Sequence, residues 1–202
     1  MRRIQDNGNS ALLFALANRA RNVPSPEVGT PSVNVMPVTQ IGRAVPKRRV
    51  VVKNKADWMG LFEVPESVEA IEVESYCCNE EDLKEVDLRR FVSLKELIVG
   101  NGCFENVEEV KLIGLSELEK VVIGEFCFRK NSDYNPNRHF YLKNCERLKR
   151  LKTDRYSFSD YSVCEIENLP SLKGIEMGYL NGDGYSFYHA SLELKSEDGG
   201  ME

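Results

Sequence analysis

The sequence predicts a mainly β solenoid of about five repeats, each 24–30 residues long, behind a disordered N-terminal tail. Three observations predict it. Leu97, Val121, Leu151 and Ile175 fall 24, 30 and 24 residues apart and occupy the same place in the pattern. Within each copy, apolar and polar residues alternate over a few positions, the period of a half-buried strand. No copy has the roughly 10–12 residues at helical spacing that a helix needs.

The chain begins with residues 1–49, a basic, proline-containing tail. Residues 1–55 carry ten Lys or Arg against Asp6 and Glu27, a charge of +8, whereas the remainder carries -13. Pro24, Pro26, Pro31, Pro37 and Pro46 crowd this part, which has little apolar surface to offset ordering entropy. Ala11–Ala17 resembles a signal-peptide core in outline, but it is only as long as the shortest such cores, about 7 residues. A frayed amphipathic helix accounts for it more simply, and an arginine-containing transit peptide is a further alternative. Pro46-Lys47-Arg48-Arg49 reads as a solvated charge run, and Arg49–Lys53 as an edge strand with charges flanking three valines.

Residues 50–66 are expected to cap the array, with Trp58, Met59, Leu61 and Phe62 as its apolar filling. The repeats then occupy 67–195. Val68, Ile71 and Val73 open a partial copy that ends at Cys77-Cys78. The next copies run from Val86 to Cys103-Phe104, from Val110 to Cys127-Phe128, from Phe140 to Ser157-Phe158, and from Cys164 to Ser186-Phe187. A sixth opens with Leu192 and Leu194, and 196–202 form a polar tail. Longer spacings reflect insertions at Lys130–Asn137 and Tyr179–Tyr185, both at one point of the repeat, where a solenoid tolerates them. Gly60, Gly100, Gly124 and Gly178 follow strand-like segments and are expected to supply turns with positive φ.

Composition excludes several functions. No apolar run approaches the roughly 18 residues of a membrane span. An acidic body argues against nucleic acid, which requires a basic stripe. The six cysteines fall on core positions of the repeat, so they read as reduced, buried thiols, and Cys77-Cys78 lacks the C-x₂-C spacing of zinc sites. His139 and His189 have no nucleophile in a recognisable context. Asp183-Gly184 supplies too few oxygen ligands for a calcium loop. No catalytic, metal or cofactor site is expected.

The phrases Leu112-x-x-Leu115-x-x-Leu118-x-x-Val121-x-Ile123 and Ile166-x-x-Leu169-Pro170-x-Leu172-x-x-Ile175-x-Met177 resemble the core of leucine-rich repeats. Ile123-Gly124-Glu125-Phe126-Cys127-Phe128 is similar to the I-G-x-x-A-F element of the strand-rich, BspA-like subclass. Glycine stands where many members carry a ladder asparagine. The resemblance implies a protein-binding scaffold without catalysis, in a family that includes surface adhesins.

Residues between the buried positions are expected to face outward in ladders. Ile98 and Val122 would form an apolar pair, beside Lys149, Arg150, Lys152 and Glu176, and Arg147 and Arg155 add to the positive charge of that copy. This candidate surface suits a protein partner. An open last repeat would in addition allow self-association. A cytoplasmic location is the simplest reading, with a secreted, adhesin-like protein or a fragment of a longer array as the alternatives.

Overall fold

A computed structural model describes residues 48–130, 136–178 and 184–195. The tail before Arg48, the Ala11–Ala17 run, residues 131–135 and 179–183 of the two insertions, and the polar tail 196–202 lie outside the described residues. The described part is a β-solenoid. Its elements are β1 (Arg48–Val52), α1 (Lys55–Gly60), β2 (Val68–Val73), β3 (Glu85–Asp87), β4 (Glu96–Val99), β5 (Glu109–Ile113), β6 (Lys120–Ile123), β7 (His139–Lys143), β8 (Arg150–Thr153), β9 (Val163–Glu167), β10 (Ile175–Met177) and β11 (Ser191–Lys195).

From β2 onward the chain alternates between two parallel sheets. Sheet A has the order β1-β2-β4-β6-β8-β10 and sheet B the order β11-β9-β7-β5-β3. Each pair of consecutive strands, from β2–β3 to β10–β11, is therefore one coil, and β1 adds an edge strand to sheet A. Between the two strands of sheet A at that edge, α1 starts at Asn54, whose side chain accepts from Asp57 N at 2.9 Å. Asp57 returns the favour by accepting from Lys53 N, so the helix start is closed reciprocally. Trp58 on α1 is 1% exposed and meets the Phe104 ring edge-on, centroids 4.9 Å apart.

The period-two pattern decides the core. Ile71, Leu97, Val121 and Leu151 lie in one register row of sheet A, and Val73, Val99, Ile123 and Thr153 in another. Val110, Phe140 and Cys164 make the facing row of sheet B, followed by Leu112, Leu142 and Ile166. All of these are buried. Thr153 is the exception in chemistry: its hydroxyl is buried with no hydrogen-bond partner in a row otherwise filled by aliphatic side chains.

The corner from sheet A to sheet B repeats as a triplet. The triplets are Tyr76-Cys77-Cys78, Gly102-Cys103-Phe104, Phe126-Cys127-Phe128, Tyr156-Ser157-Phe158 and Tyr185-Ser186-Phe187. In every one, the first and third residues have φ between 40° and 64°. The third residues point inward and stack along the solenoid: Phe104, Phe128, Phe158 and Phe187 have successive centroid separations of 5.0, 4.6 and 4.7 Å and nearly parallel planes. The middle residue ties each coil to the one before it. Cys103 Sγ donates to Glu74 O (3.0 Å), Cys127 Sγ to Gly100 O (2.8 Å), Ser157 Oγ to Gly124 O (2.6 Å) and Ser186 Oγ to Asp154 O (2.8 Å). Cysteine fills the place in the first three corners and serine in the last two, because each is a small side chain with one donor.

This corner corrects the expectation about glycine. Of the four glycines named above, only Gly178 has positive φ. Gly60 ends α1 in the right-handed region. Gly100 and Gly124 are small because neighbouring coils approach closely: a Cβ on Gly124 would lie 2.8 Å from the Gly100 carbonyl carbon and 2.9 Å from Asn101 N. Apart from Gly102, the left-handed positions of this corner are filled instead by aromatic residues and Cys78, held there by stacking and by hydrogen bonds between coils. At the opposite corner Gly114, Asn144 and Asn168 carry the positive φ, and Asn168 Nδ2 donates to Asn144 Oδ1 at 2.9 Å.

Two outcomes test this packing. Thr153→Val should raise unfolding free energy by about 1–2 kcal/mol, because it removes a buried hydroxyl without changing side-chain shape. Phe128→Ala should lower it by about 3–5 kcal/mol, the usual loss for a buried aromatic ring. Urea denaturation of the three proteins measures both, and a destabilised Thr153→Val would show that the hydroxyl has a partner.

Candidate functional site

The outward face of sheet A carries the residues expected to meet a partner. The strand register places them in two rows. One runs Val51, Glu72, Ile98, Val122, Lys152, Glu176, and the other runs Arg49, Ala70, Glu96, Lys120, Arg150. Ile98 and Val122 are thus direct neighbours on adjacent strands, and both are half-buried. Glu176 stands beside Lys152 in register, and Arg150 reaches it from the next row with Nη2–Oε2 at 3.2 Å. Lys149 lies just before β8 and reaches back to Glu119 at 2.7 Å.

The structure pairs the basic residues of the fourth coil with acids on both sides. Arg147 meets Glu117 and Glu119, Lys152 meets Asp154, and Arg155 meets Glu125. On the earlier coils, Glu96 lies between Lys120 (2.7 Å) and Arg49 (2.5 Å). Arg49 gets there by crossing β2 at Ala70, the small residue of its row, and touches Glu72 at 3.2 Å on the way. The Lys120 hydrogen bond first, and then Arg49, hold the Glu96 carboxyl below its usual pKa. Exposed pairs of this kind are worth about 0.2–1 kcal/mol each. They set lysine and arginine against glutamate along the rows, so the face is of mixed charge around the Ile98–Val122 pair.

Sheet B faces outward with its own ion pairs. Lys111 bridges Glu85 and Glu109, and Lys143 bridges Glu165 and Glu167. His139 is part of this surface: Nε2 lies 3.2 Å from Pro136 O and Nδ1 2.9 Å from the Tyr141 hydroxyl. A carbonyl only accepts, so Nε2 carries the proton and Tyr141 donates to Nδ1. Both ring nitrogens are engaged, which suits a structural role. Among the described residues, no group of three or more His, Cys, Asp or Glu is arranged to hold a metal ion.

Two features have no counterpart in the sequence reading. The first is Arg138, 2% exposed at the start of β7. It pairs with buried Asp160, donates to the carbonyls of Glu105 and Val107, and lies 4.9 Å from the Tyr161 ring centroid. An arginine beside a polar insertion reads as solvent-exposed, and only the fold shows it turned inward. The second is an outer aromatic row built from the first residues of the corner triplets. Phe126 stacks on Tyr156 at 5.1 Å, Tyr156 on Tyr185 at 5.3 Å, and Arg129 and Arg155 lie against these rings. Gly102 interrupts the row in sequence, which hides its period.

No family model, curated protein or solved structure matches this chain. Among the described residues, no helix is long and apolar enough to cross a membrane.

All six cysteines are free thiols, and Cys77 alone of them is not buried. Burial, above all, pushes the Cys77 thiol up to about 11. Alkylation of the native protein should therefore modify Cys77 first and slowly near neutrality. The rate should rise about tenfold per pH unit on the way to that value, because the thiolate is the nucleophile. All six should react at once in denaturant. Mass spectrometry of the modified protein reads this, and fast native modification of Cys103 or Cys127 would contradict the packed corner.

Proposed function

We propose that this protein is a non-catalytic scaffold that binds another protein across the outward face of sheet A. The observation that carries the reading is the Ile98–Val122 pair, set on adjacent strands in a rigid face whose surrounding charges are already ordered by ion pairs. Pre-ordered side chains lose little entropy on binding. An apolar centre within a charged rim is the usual anatomy of a protein interface. The partner that fits is a segment with one or two apolar side chains flanked by charges of both signs. Arg150, Lys152 and Glu176 would supply one flank, with Lys149 at its margin.

Within this proposal the repeats are leucine-rich repeats of the strand-rich, BspA-like kind. What supports this is the recurring L-x-x-[FL]-x-x-L phrase together with one short strand per sheet in each coil. The partly exposed apolar residues of the fifth coil support a second contact, with another copy of the chain. Leu169, Leu172, Ile175 and Met177 are partly exposed, whereas Leu115, Leu118, Val121 and Ile123, their equivalents two coils earlier, are buried. β10 and β11 also leave one backbone edge unpaired among the described residues.

Proximity labelling in the native cell, with the wild type beside an Ile98→Glu, Val122→Glu double variant, tests the main reading. The variant should fold, with a loss of about 1–2 kcal/mol from strand propensity and packing, and should lose most labelled partners. An unchanged set of partners would remove sheet A as the docking face. A sedimentation coefficient independent of protein concentration would remove the self-contact.

A further inference from the structure

Cys77 and Cys103 fill the middle places of the first two corners, in adjacent coils, and they meet at one atom. Cys77 Sγ donates to Glu74 O at 2.9 Å, and Cys103 Sγ donates to the same oxygen at 3.0 Å. Cys77 is half-buried and Cys103 fully buried. Solvent therefore reaches one thiol of a neighbouring pair, and the other stands behind it.

Geometry selects the partner of Cys77. Cys78 is near, with its Sγ 4.0 Å from that of Cys77, but it holds the inward place of its corner and is 2% exposed. Consecutive residues have Cα atoms about 3.8 Å apart, below the roughly 4.4–6.8 Å that disulfides span. Neighbouring strands run about 4.8 Å apart, so equivalent residues of stacked coils fall inside that range. Cys103 is thus the partner that asks least of the backbone. Cys103 and Cys127 have the same relation, but both are buried, so no oxidant in solution reaches either.

The two thiols also differ in the useful sense. The neighbouring Cys127 thiol above all, and hydrogen bonding with Cys77 as well, lower the Cys103 thiol to about 7 against the effect of its burial. A thiol in that range is close to the best attacking group near neutrality, and Cys77 supplies the reachable sulfur for it to attack. A bond between them would act on the end of the array. β1 joins sheet A only through β2, and β2 belongs to the first coil. A terminal unit of a repeat array has one neighbour and opens most easily.

We propose that Cys77 and Cys103 form a reversible disulfide that locks the first coil onto the second, a latch set by a small-molecule thiol–disulfide couple such as glutathione. The Cys77 thiolate attacks one sulfur of oxidised glutathione, forms a mixed disulfide and releases one glutathione thiolate. The Cys103 thiolate then attacks Cys77 Sγ and expels the second glutathione thiolate. The two protons given up by the cysteines end on the two glutathiones, so one disulfide is reduced and one is made. Excess reduced glutathione runs both steps backward. The latch is independent of any partner on sheet A.

The full chain, held native in mixtures of reduced and oxidised glutathione at mildly alkaline pH, quenched in acid and mapped by mass spectrometry, tests the assignment. The wild type should accumulate one internal disulfide, Cys77–Cys103, as oxidised glutathione rises, and lose it again in reduced glutathione. Cys103→Ser keeps a small donor of the kind that Ser157 and Ser186 supply in later corners, so the coil should stay intact. Its oxidation should stop at Cys77 joined to glutathione. Cys78→Ser should leave the cross-link unchanged. Hydrogen exchange of the β1 and β2 amides should slow about tenfold or more in the oxidised wild type, and not in oxidised Cys103→Ser. A Cys77–Cys78 bridge, a wild type that stops at the mixed disulfide or stays reduced at every ratio, or a cross-link that leaves this exchange unchanged would each overturn the proposal.

Discussion

The stacked phenylalanine row is the interaction on which the rest of the solenoid depends. Each coil must turn sharply from sheet A to sheet B and arrive in register with its neighbour. The turn does so by placing two residues per corner in the left-handed region, where a side chain costs about 1–2 kcal/mol per residue. Phe104, Phe128, Phe158 and Phe187 bear that conformation and are buried in return. Burial of a phenylalanine stabilises by about 1.5–3 kcal/mol, and aromatic pairs add about 0.5–1.5 kcal/mol. The stack therefore offsets the strain that creates it. In the first coil the same place is taken by Cys78, whose small side chain leaves Phe104 room to meet Trp58 instead.

Hydrogen bonding follows from the same turn. Because the corner repeats without change, its backbone groups continue to pair from coil to coil: Phe128 N donates to Cys103 O and Phe158 N to Cys127 O. The thiols and hydroxyls in the middle of the triplets add a side-chain rung to each step. The residues chosen there look unrelated in sequence, yet Cys127 and Ser157 occupy equivalent places and bond to equivalent carbonyls. A metal role is not needed to account for them.

Charge is arranged on the same lattice. On both sheets, lysine and arginine of one coil meet glutamate of an adjacent coil, as Lys120 meets Glu96 of the coil before and Lys143 meets Glu165 of the coil after. An acidic domain thereby presents ordered faces of mixed sign, with net repulsion between like rows relieved. The buried Arg138–Asp160 pair is of another kind. It is joined to the backbone of the second coil through Glu105 and Val107 and to the fourth through Asp160, so it fastens coils that are not neighbours in sequence.

The sequence by itself determined the architecture, the repeat length and nearly every core position. Spacing and alternation are local properties, and a side chain every second residue has to face inward once one face is buried. It also placed Ile98 beside Val122, because a constant repeat length keeps equivalent residues in register. The tertiary structure alone decided what depends on distance across the coils. Gly124 is small because of a neighbouring backbone, not because of its own φ, and Phe128 is left-handed because its stack compensates for the strain. Arg138 is buried because Asp160 and two carbonyls await it. The outer row of Phe126, Tyr156 and Tyr185 joins residues from three consecutive coils, and no local pattern of apolar and polar residues carries that information.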